Sequence, residues 1–353
     1  MSVHRRTPLP GVQRLARALA LTAAATSALG LTVGGAAAAP LSPADPANRS
    51  EVKQQVDQLY EEAERASEKY NAAQEQQKRL QAEAGSLQDQ VAAGQEELNR
   101  MRGDLAAVAA AQYRSQGLDP TVRLMFDQDP AGYLSGARSL EQATVRQGDR
   151  LRELAEHQRR LDERRHEAGA KLAELEQARQ QLAAAKEEVR ERLARAQQLL
   201  NGLAPAERAR MVADDAREAR QRATRGTDRI DLGNQPPSSD RAAAALAAAI
   251  SKIGSPYVYG STGPGTFDCS GLMYWSWRQA GVTLPRTSQA QASAGRRVSL
   301  ADARPGDLVI FYNDRHHVGM YAGGGVVVHA PYPGARVRYE SVSAMPVNTV
   351  VRV

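Results

Sequence analysis

A heptad pattern that runs unbroken from Val52 to Val108 constrains the front half of this 353-residue chain more than any other feature. Apolar residues fill 15 of its 17 positions, the exceptions being Gln77 and Gly94, at alternating spacings of four and three. A sustained 3.5-residue repeat is typical of a helix that packs along a left-handed coiled-coil seam. We therefore predict one helix over residues 52–108, about 85 Å long at roughly 1.5 Å per residue.

A second helical run follows over residues 154–200. Its first seam is Leu154, Leu161, Ala168, Leu175, Leu182, Val189 and Ala196. Its alternate seam, four residues further on in each heptad, is Gln158, Arg165, Leu172, Arg179, Lys186, Leu193 and Leu200. Residues 117–137 separate the two runs and contain Pro120 and Pro130, which break a continuous helix. We predict an antiparallel coiled-coil hairpin whose distal tip is 117–137; a parallel homodimer is the alternative, which the prolines disfavour.

The predicted tip is unusually apolar for the far end of a rod. It carries Val122, Leu124, Met125, Phe126, Tyr133 and Leu134. Short tip helices could bury these side chains on one another, or the side chains could form a docking patch for a partner, and the two interpretations are compatible. After the hairpin, a charged helix is predicted beyond Pro205, and residues 231–240, rich in proline and serine, are predicted to be a flexible linker.

Residues 1–38 have the pattern of a secretory signal peptide. Four arginines precede an apolar stretch over residues 18–33, and Ala36 and Ala38 fit a small-residue cleavage site. A transmembrane anchor is the alternative, but the apolar stretch is short for a span. We therefore expect a secreted protein whose hairpin domain covers residues 39–230.

Charge and aromatic content divide the rest of the chain into two parts. The formal charge of the whole chain is +6, of which the leader contributes four positive charges. Residues 241–353 carry 11 basic and five acidic residues, whereas residues 39–240 carry a net charge of −4. Eleven of the 16 aromatic residues also lie in 241–353. This contrast marks a second domain, and no basic run with interleaved aromatics indicates nucleic-acid binding.

Cys269 is the only cysteine in the chain, which excludes an intramolecular disulfide and a structural zinc site built on cysteines. It follows a turn-rich segment, 257–267, and precedes a helix-compatible run, 270–279. A cysteine at a helix N-terminus is expected to have a depressed thiol pKa. Five strand-like runs follow, at 307–312, 317–322, 326–330, 337–342 and 349–353, and two of them carry His317 and His329. A helix-borne cysteine before a histidine-bearing antiparallel sheet is the order that a cysteine hydrolase needs.

Five motifs in one order resemble those of the NlpC/p60 family of cysteine peptidases. They are Phe267-Asp268-Cys269-Ser270-Gly271, Leu284-Pro285-Arg286-Thr287-Ser288, Pro305-Gly306-Asp307-Leu308, His317-Val318-Gly319-Met320-Tyr321 and Val328-His329-Ala330. Tyr257 matches a tyrosine that lies beside the nucleophile in that family. The resemblance covers residues 241–353 and implies an α+β, papain-like catalytic domain. The sequence departs from the family at Gly260-Ser261, where two glycines are usual.

The resemblance implies a role for each matched residue. Cys269 would be the nucleophile, His317 the general base, and His329 the group that orients His317. The backbone amide of Cys269 and the Tyr257 hydroxyl would stabilise the oxyanion. The remaining candidates for substrate contact are Asp268, Ser270, Arg286 and Ser288. Asp268 could instead cap the helix, and the two serines could be capping residues.

Three further expectations concern the neighbourhood of these residues. Strand alternation predicts that His316 points away from His317, to the protein surface. Trp275 and Trp277 cannot share a helix face, so one is expected in the core and the other is a candidate for the cleft rim. No metal and no cofactor is expected; a metal site built from His316, His317 and His329 is the disfavoured alternative.

The family resemblance implies a secreted peptidoglycan hydrolase of Gram-positive type, extracellular and associated with the cell wall. Such an enzyme cleaves stem peptides between γ-linked D-glutamate and a diamino acid, during wall remodelling or cell division. The hairpin would dock on a membrane complex of FtsEX type through Leu124, Met125, Phe126, Tyr133 and Leu134. It could also fold back over Cys269 and inhibit it. The alternative is a non-catalytic wall-binding or coiled-coil scaffold protein.

Overall fold

The computed structural model describes residues 46–114, 122, 130–224 and 229–353. The signal peptide predicted for residues 1–38 lies outside the described residues, as do Leu124, Met125 and Phe126 of the predicted tip. Within the described ranges, no helix is both long enough and apolar enough to cross a membrane. The secretion signal and the docking role of the tip therefore remain predictions.

Two long helices form an antiparallel pair within one chain. Helix α1 spans Pro46–Arg114 and helix α2 spans Pro130–Asn201. Lys69 pairs with Glu188 at 3.3 Å, and Glu83 pairs with Lys171 at 3.5 Å, so residues further along α1 meet residues earlier in α2. All 17 predicted seam positions on α1 are buried or half-buried. The predicted helical hairpin is confirmed in its direction and in the face of α1 that it buries.

The alternate seam predicted on α2 is wrong over its first five positions, which are exposed, whereas its last two, Leu193 and Leu200, are half-buried and buried as predicted. Leu172 is 44% exposed, and most of its predicted companions face solvent. The buried row lies one position earlier and includes Ala178 and Ala185, while Lys171 and Arg192 are half-buried in it. Alanine permits close approach of the helices, and the long stems of Lys and Arg cover apolar surface while their charged ends reach acids on α1. The first α2 seam is confirmed.

The segment between the two parts of the chain contacts the C-terminal part through an apolar residue, Leu232. Helix α3 spans Pro205–Thr224, and helix α4 spans Asp240–Ile250 with Ser239 as its N-cap. Between them, Leu232 packs against the core of the C-terminal part. A Cβ atom on Gly323 would lie 2.0 Å from the Leu232 carbonyl oxygen, so glycine is required for this contact. Residues 233–237 are exposed, and the linker predicted for 231–240 remains a prediction.

The C-terminal part is an α+β domain built on a six-stranded antiparallel sheet in the order β1-β6-β2-β3-β4-β5. Helix α5 spans Cys269–Gln279, and the single turn α6 spans Ser288–Gln291. The strands are β1 Arg296–Val298, β2 Leu308–Phe311, β3 His317–Gly323, β4 Val326–His329, β5 Arg338–Ser341 and β6 Val347–Arg352. The five predicted strands are confirmed. Strand β1 was not predicted, because its three residues, Arg-Arg-Val, carry no alternating apolar pattern.

Strands β2, β3 and β4 are buried on both faces, which holds the ends of β3 and β4 in fixed positions. Along β2, Leu308 and Ile310 pack toward α4 and α5, while Val309 and Phe311 face a smaller apolar cluster on the other side. Trp277 of α5 is 1% exposed and belongs to the main core. Helix α5 packs directly on β3. Its N-terminal cysteine is thereby held beside the edge at which β3 begins and β4 ends.

Candidate active site

The chain turns sharply into α5 at Asp268, and this turn fixes the position of Cys269. Asp268 is the N-cap of the helix, and its Oδ1 accepts a hydrogen bond from the Gly271 amide at 2.6 Å. A Cβ atom on Gly271 would lie 2.1 Å from the Ser261 carbonyl oxygen, so only glycine permits this close approach. Cys269 is the first residue of the helix and is 1% exposed.

A buried ion pair supports this turn from the side. The Arg286 guanidinium donates to both oxygens of Asp268, from Nη2 at 2.5 Å and from Nη1 at 3.1 Å. Arg286 Nη1 also donates to the Ser270 hydroxyl at 2.8 Å. Asp268 accepts a further bond from the Gly260 amide at 2.8 Å. The capping interpretation of Asp268 is confirmed. Arg286 is hydrogen-bonded to the two residues that flank Cys269, Asp268 and Ser270.

The two predicted histidines form a hydrogen-bonded pair. His317 is the first residue of β3, His329 is the last of β4, and both are almost fully buried. The distance from His317 Nε2 to His329 Nδ1 is 2.8 Å. Burial lowers the pKa of His329 well below its usual value, and the charges of His317 and Arg338 lower it further. When His317 Nε2 carries the shared proton, His317 Nδ1 keeps a free lone pair, which is the state of a general base.

Side chains of α1 cover this site. Glu64, Glu68 and Asn71 occupy successive turns of the helix and are 6%, 2% and 0% exposed. Glu68 Oε1 accepts from the Ser270 hydroxyl at 2.6 Å, and Glu68 Oε2 accepts from the Ser288 amide at 2.8 Å. The same Oε1 lies 3.9 Å from the Cys269 Sγ atom. A carboxylate of the hairpin therefore sits directly beside the thiol.

The other two α1 side chains complete this cover. Glu64 Oε2 lies 3.5 Å from His317 Nδ1, the nitrogen that the histidine pair leaves free. Asn71 Nδ2 donates to Asp268 Oδ2 at 3.2 Å, and Asn71 Oδ1 accepts from Arg286 at 3.2 Å. Helix α1 thus contacts both the turn that carries Cys269 and the ring of His317.

The covered site does not favour a thiolate. Burial raises the pKa of Cys269 well above its usual value, and the carboxylates of Glu68, Asp268 and Glu64 raise it further. The hydrogen bond at the start of the helix acts in the opposite direction and is outweighed. The expected depression of this thiol pKa is therefore wrong in the covered structure, because the sequence did not show that α1 brings two carboxylates to the helix N-terminus.

The remaining matched residues lie close to the same site. Tyr257 is buried, and its hydroxyl has no hydrogen-bond partner among the described residues. Ser288 directs its amide to Glu68 and its hydroxyl to the Arg315 carbonyl oxygen at 2.7 Å. Their substrate or oxyanion roles remain predictions.

His316 is not the surface residue that strand alternation predicts. Its side chain is 1% exposed, its ring stacks on Tyr312 with 4.2 Å between centroids, and its Nδ1 lies 2.5 Å from Asp314 Oδ1. The strand begins only at His317, so His316 belongs to the preceding turn, where alternation does not apply. In that turn, Tyr312 and Arg315 have φ values of 61° and 58°. The His316 carbonyl oxygen lies 3.8 Å from Cys269 Sγ.

The described residues contain no group of three or more side chains that could hold a metal ion. The His316 ring is engaged with Asp314, whereas His317 and His329 contact each other. Trp275 is half-buried at the edge of the core, where its ring meets Phe267 edge-on. Tyr133 and Leu134 fall within α2, and their docking role remains a prediction.

Helix α3 forms a second contact between the front and back halves of the chain. Asp215 accepts from Arg338 Nη1 at 2.6 Å and from the Tyr332 hydroxyl at 2.5 Å. Arg222 donates to both oxygens of Glu340, at 3.1 and 3.3 Å. We call these two contacts on β5 and its preceding loop the α3 clasp.

Sequence reasoning missed Glu64, Glu68, Asn71 and the α3 clasp. These residues lie on helices that contain many other acidic and amide side chains, so composition did not distinguish them. The only available signal was that 64, 68 and 71 share a helix face beside the predicted seam, at spacings of four and three. That spacing shows a shared face but not what the face contacts.

Comparison with known proteins agrees with this geometry. Residues 254–352 match the model of the NlpC/P60 family. A probable endopeptidase of Corynebacterium glutamicum is 46% identical over 116 residues, which are 33% of this chain and 56% of the relative. A probable endopeptidase of Mycobacterium tuberculosis is 47% identical over 95 residues, which are 27% of this chain and 25% of the relative. The chain therefore spans about half or less of the length of these curated relatives.

Among solved structures, the NlpC/p60 domain of the peptidoglycan hydrolase SagA is 36% identical, with a TM-score of 0.31, and covers 32% of this chain and 98% of that one. The α+β fold with its cysteine-bearing helix defines the class: a catalytic domain of the cysteine peptidase type. Through residues 254–352, the chain belongs to the NlpC/P60 family.

Proposed function

We propose that this protein is a peptidoglycan endopeptidase that cleaves stem peptides between γ-linked D-glutamate and a diamino acid. The observation that carries the proposal is the placement of the His317–His329 pair, 2.8 Å apart, at the strand ends beside the helix that begins with Cys269. The family match over 254–352 and relatives named probable endopeptidases support it. The net positive charge of residues 241–353 suits a polyanionic wall.

The proposed reaction uses the chain's own residues. His317 takes the thiol proton, and the Cys269 sulfur attacks the peptide carbonyl carbon to form a tetrahedral intermediate. The Cys269 amide and the Tyr257 hydroxyl stabilise the oxyanion. His317 then returns the proton to the leaving amine, and an acyl-enzyme forms. Water, activated by His317, releases the acid and restores the thiol.

We further propose that the hairpin inhibits this activity until it is displaced. Glu68 lies 3.9 Å from the thiol and Asn71 holds the neighbouring Asp268, so substrate cannot reach Cys269 while α1 is in place. Replacing the fully buried Asn71 by tryptophan leaves no room for α1 at this position and tests the idea without altering the α1–α2 seam. Equal rates of digestion by the wild type and Asn71→Trp would contradict inhibition by the hairpin.

The test of the reaction is digestion of purified peptidoglycan by Asn71→Trp and by the double variant that also carries Cys269→Ala. We expect fragments only from the variant that retains the thiol, and their masses identify the bond. A non-catalytic wall-binding protein is the second candidate, favoured by the covered thiol and its raised pKa. It would be supported if Asn71→Trp binds peptidoglycan but releases nothing.

Secretion to a Gram-positive cell wall and docking on an FtsEX-type complex form the remaining part of the proposal. They rest on the leader pattern of residues 1–38 and the apolar composition of the tip. Replacing Leu124 and Phe126 by Asp should abolish recruitment to such a complex while leaving the digestion rate of the Asn71→Trp protein unchanged. Unchanged recruitment would contradict the docking role.

A further inference from the structure

The cover formed by α1 places an excess of acidic groups in a buried space. Three carboxyl groups, on Glu64, Glu68 and Asp268, are each less than 7% exposed. Among the described residues, the guanidinium that bonds within this group is that of Arg286, and both of its Nη atoms are engaged with Asp268. Carboxylates without a counter-charge are costly to bury, so one of these groups is expected to bind a proton.

Glu64 lies against His317, 3.5 Å from its Nδ1 atom, whereas Asp268 and Glu68 both lie beside Cys269. Of the two carboxyl groups beside Cys269, the hydrogen bonds identify Glu68 as the one that binds the proton. Asp268 accepts from Arg286 and from the amides of Gly260 and Gly271, which favours its ionised form. Glu68, by contrast, accepts hydrogen bonds from neutral donors, which are the Ser270 hydroxyl, the Ser288 amide and the Asn71 side-chain amide at 3.2 Å.

The site can also accommodate the extra proton. Ser270 Oγ lies 2.6 Å from Glu68 Oε1 and 3.3 Å from Asp268 Oδ1, so its hydroxyl can turn to donate to Asp268 while accepting from a protonated Glu68. It still has a second lone pair for Arg286. Burial, followed by the charge of Asp268, raises the pKa of Glu68 to about 7.

The other titratable groups around Glu68 do not supply the missing positive charge. On the β3 and β4 side, His317 faces Glu64, and burial keeps His329 neutral by lowering its pKa. On the α5 side, Cys269 is a thiol whose pKa is raised by burial. Burial likewise raises the pKa of Tyr257, which stays neutral.

We propose that the hairpin is a proton-gated cover, held over Cys269 by the neutral form of Glu68 and released when that side chain ionises. The proposal rests on the proposed inhibition of an NlpC/P60 endopeptidase. Glu68 has an ordinary pKa of 4.5 when it is exposed and a raised one when it is covered, so the covered state binds the proton more tightly. The stabilisation is fully present below about pH 4.5 and is lost as the pH rises through about 7.

The single cysteine provides a direct measurement of the cover. We would measure alkylation of Cys269 by iodoacetamide, from the mass of the intact full-length protein, between pH 5.5 and 8.5. At each pH, the alkylation rate is divided by the rate of Asn71→Trp, whose site is uncovered. This ratio removes the change in rate that comes from ionisation of the thiol itself. For the wild type, we expect this ratio to rise on the order of thirtyfold across the range.

Glu68→Gln separates the charge from the contacts, because the amide keeps the shape of the neutral acid but cannot ionise. We expect it to react about tenfold more slowly than the wild type at pH 5.5, where an exposed Glu68 is already ionised, and to keep the same slow ratio to Asn71→Trp up to pH 8.5. Glu75→Gln, an exposed position on the same helix, is the matched control and should follow the wild type. Circular dichroism spectra and melting temperatures are compared first, so that a misfolded variant is recognised.

The possible outcomes separate the two proposals. If Asn71→Trp and the wild type react alike at every pH, the hairpin does not restrain the site, and both the inhibition and the proton gate are wrong. If Asn71→Trp is faster by one constant factor, or if Glu68→Gln follows the wild type to pH 8.5, inhibition stands and the proton gate is wrong. If the expected alkylation pattern appears but Asn71→Trp digests no peptidoglycan, the gate stands and the proposed catalysis is wrong.

Discussion

Asp268 connects the turn that carries Cys269, the buried guanidinium of Arg286 and the covering helix α1 through one carboxyl group. It caps α5, pairs with Arg286 and accepts from Asn71. Because Asp268 and Arg286 are both buried, removal of either charge leaves the other without a partner in a poorly solvated place. Asp268, the residue that precedes Cys269, is therefore chiefly structural in the covered state.

Asp268→Asn should lower the free energy of unfolding by about 3 kcal/mol or more, because it leaves the Arg286 charge buried and unpaired. Urea denaturation followed by circular dichroism measures the change. Asp162→Asn is the matched control, since Asp162 pairs with Arg165 on an exposed helix surface and its loss should cost less than about 1 kcal/mol. Equal losses for the two variants would contradict a special role of the buried pair.

His329 is expected to act through His317 rather than on the substrate. In the uncovered Asn71→Trp protein, His329→Ala should lower kcat on the order of a hundredfold or more and leave KM nearly unchanged, because His317 loses its orienting partner. His329→Asn, whose side-chain oxygen can accept the same hydrogen bond, should restore part of kcat. The control is His166→Ala, at an exposed position on α2. A change confined to KM would instead indicate a substrate contact.

At the scale of elements, two separate parts of the front half hold the catalytic domain. The first is the α1 face that carries Glu64, Glu68 and Asn71, and the second is the α3 clasp on β5. Burial would raise the pKa of Asp215, but the Tyr332 hydrogen bond and the charge of Arg338 outweigh it and lower that pKa. Asp215 is therefore ionised and paired with Arg338 throughout the pH range in which Glu68 titrates.

Asp215→Ala should loosen the clasp and increase alkylation of Cys269, because it removes bonds from Arg338 and Tyr332 that together contribute about 1.5–3 kcal/mol to the covered state. That contribution corresponds to a gain on the order of ten- to a hundredfold in the uncovered population. Asp214→Ala is the matched control, since the neighbouring Asp214 pairs only with Arg217 on the exposed side of the same helix. If both variants leave the alkylation rate unchanged, the clasp does not contribute to the cover.

At the scale of the whole molecule, a long helical hairpin and a compact domain meet near the base of the hairpin. The α1 part of their contact combines buried carboxyl and amide groups with the tyrosine pairs Tyr60–Tyr332 and Tyr70–Tyr259. That contact involves residues 60–71 of α1, whereas the helix continues beyond it to Arg114. A purely apolar interface would be expected to stay closed at every pH. An interface that contains buried carboxyl groups responds to a change in their charge. The hairpin can therefore remain folded while the contact opens.

Hydrogen exchange should show these two levels of stability. In Asn71→Trp, we expect faster exchange in peptides covering 286–291, because the Ser288 amide loses its bond to Glu68. Peptides around Leu80 and Leu175, where α1 and α2 pack on each other, should be unchanged and provide the internal control. Faster exchange along both helices would show that the variant unfolds the hairpin instead of opening the contact.

Local patterns determined much of this architecture. The 3.5-residue repeat placed the buried face of α1, and the strand-like runs placed five of the six strands, because each of these elements buries one face that its own residues encode. The motifs around Cys269, His317 and His329 identified the family, since that set of residues in that order is specific. The α2 register and the turn at His316 were beyond local reasoning, because both depend on what packs against them.

Only the tertiary structure decided the state of the site. Glu68 and Cys269 are 201 residues apart in the chain, and nothing near either residue indicates that they meet. The pKa of a thiol depends on the charges and the solvent within a few ångströms. The fold brings a covering helix and two carboxyl groups from distant parts of the chain to Cys269, so its pKa is raised where the sequence predicted a lowered one. The sequence by itself determined which groups could react, and the fold determined that in this arrangement they are covered.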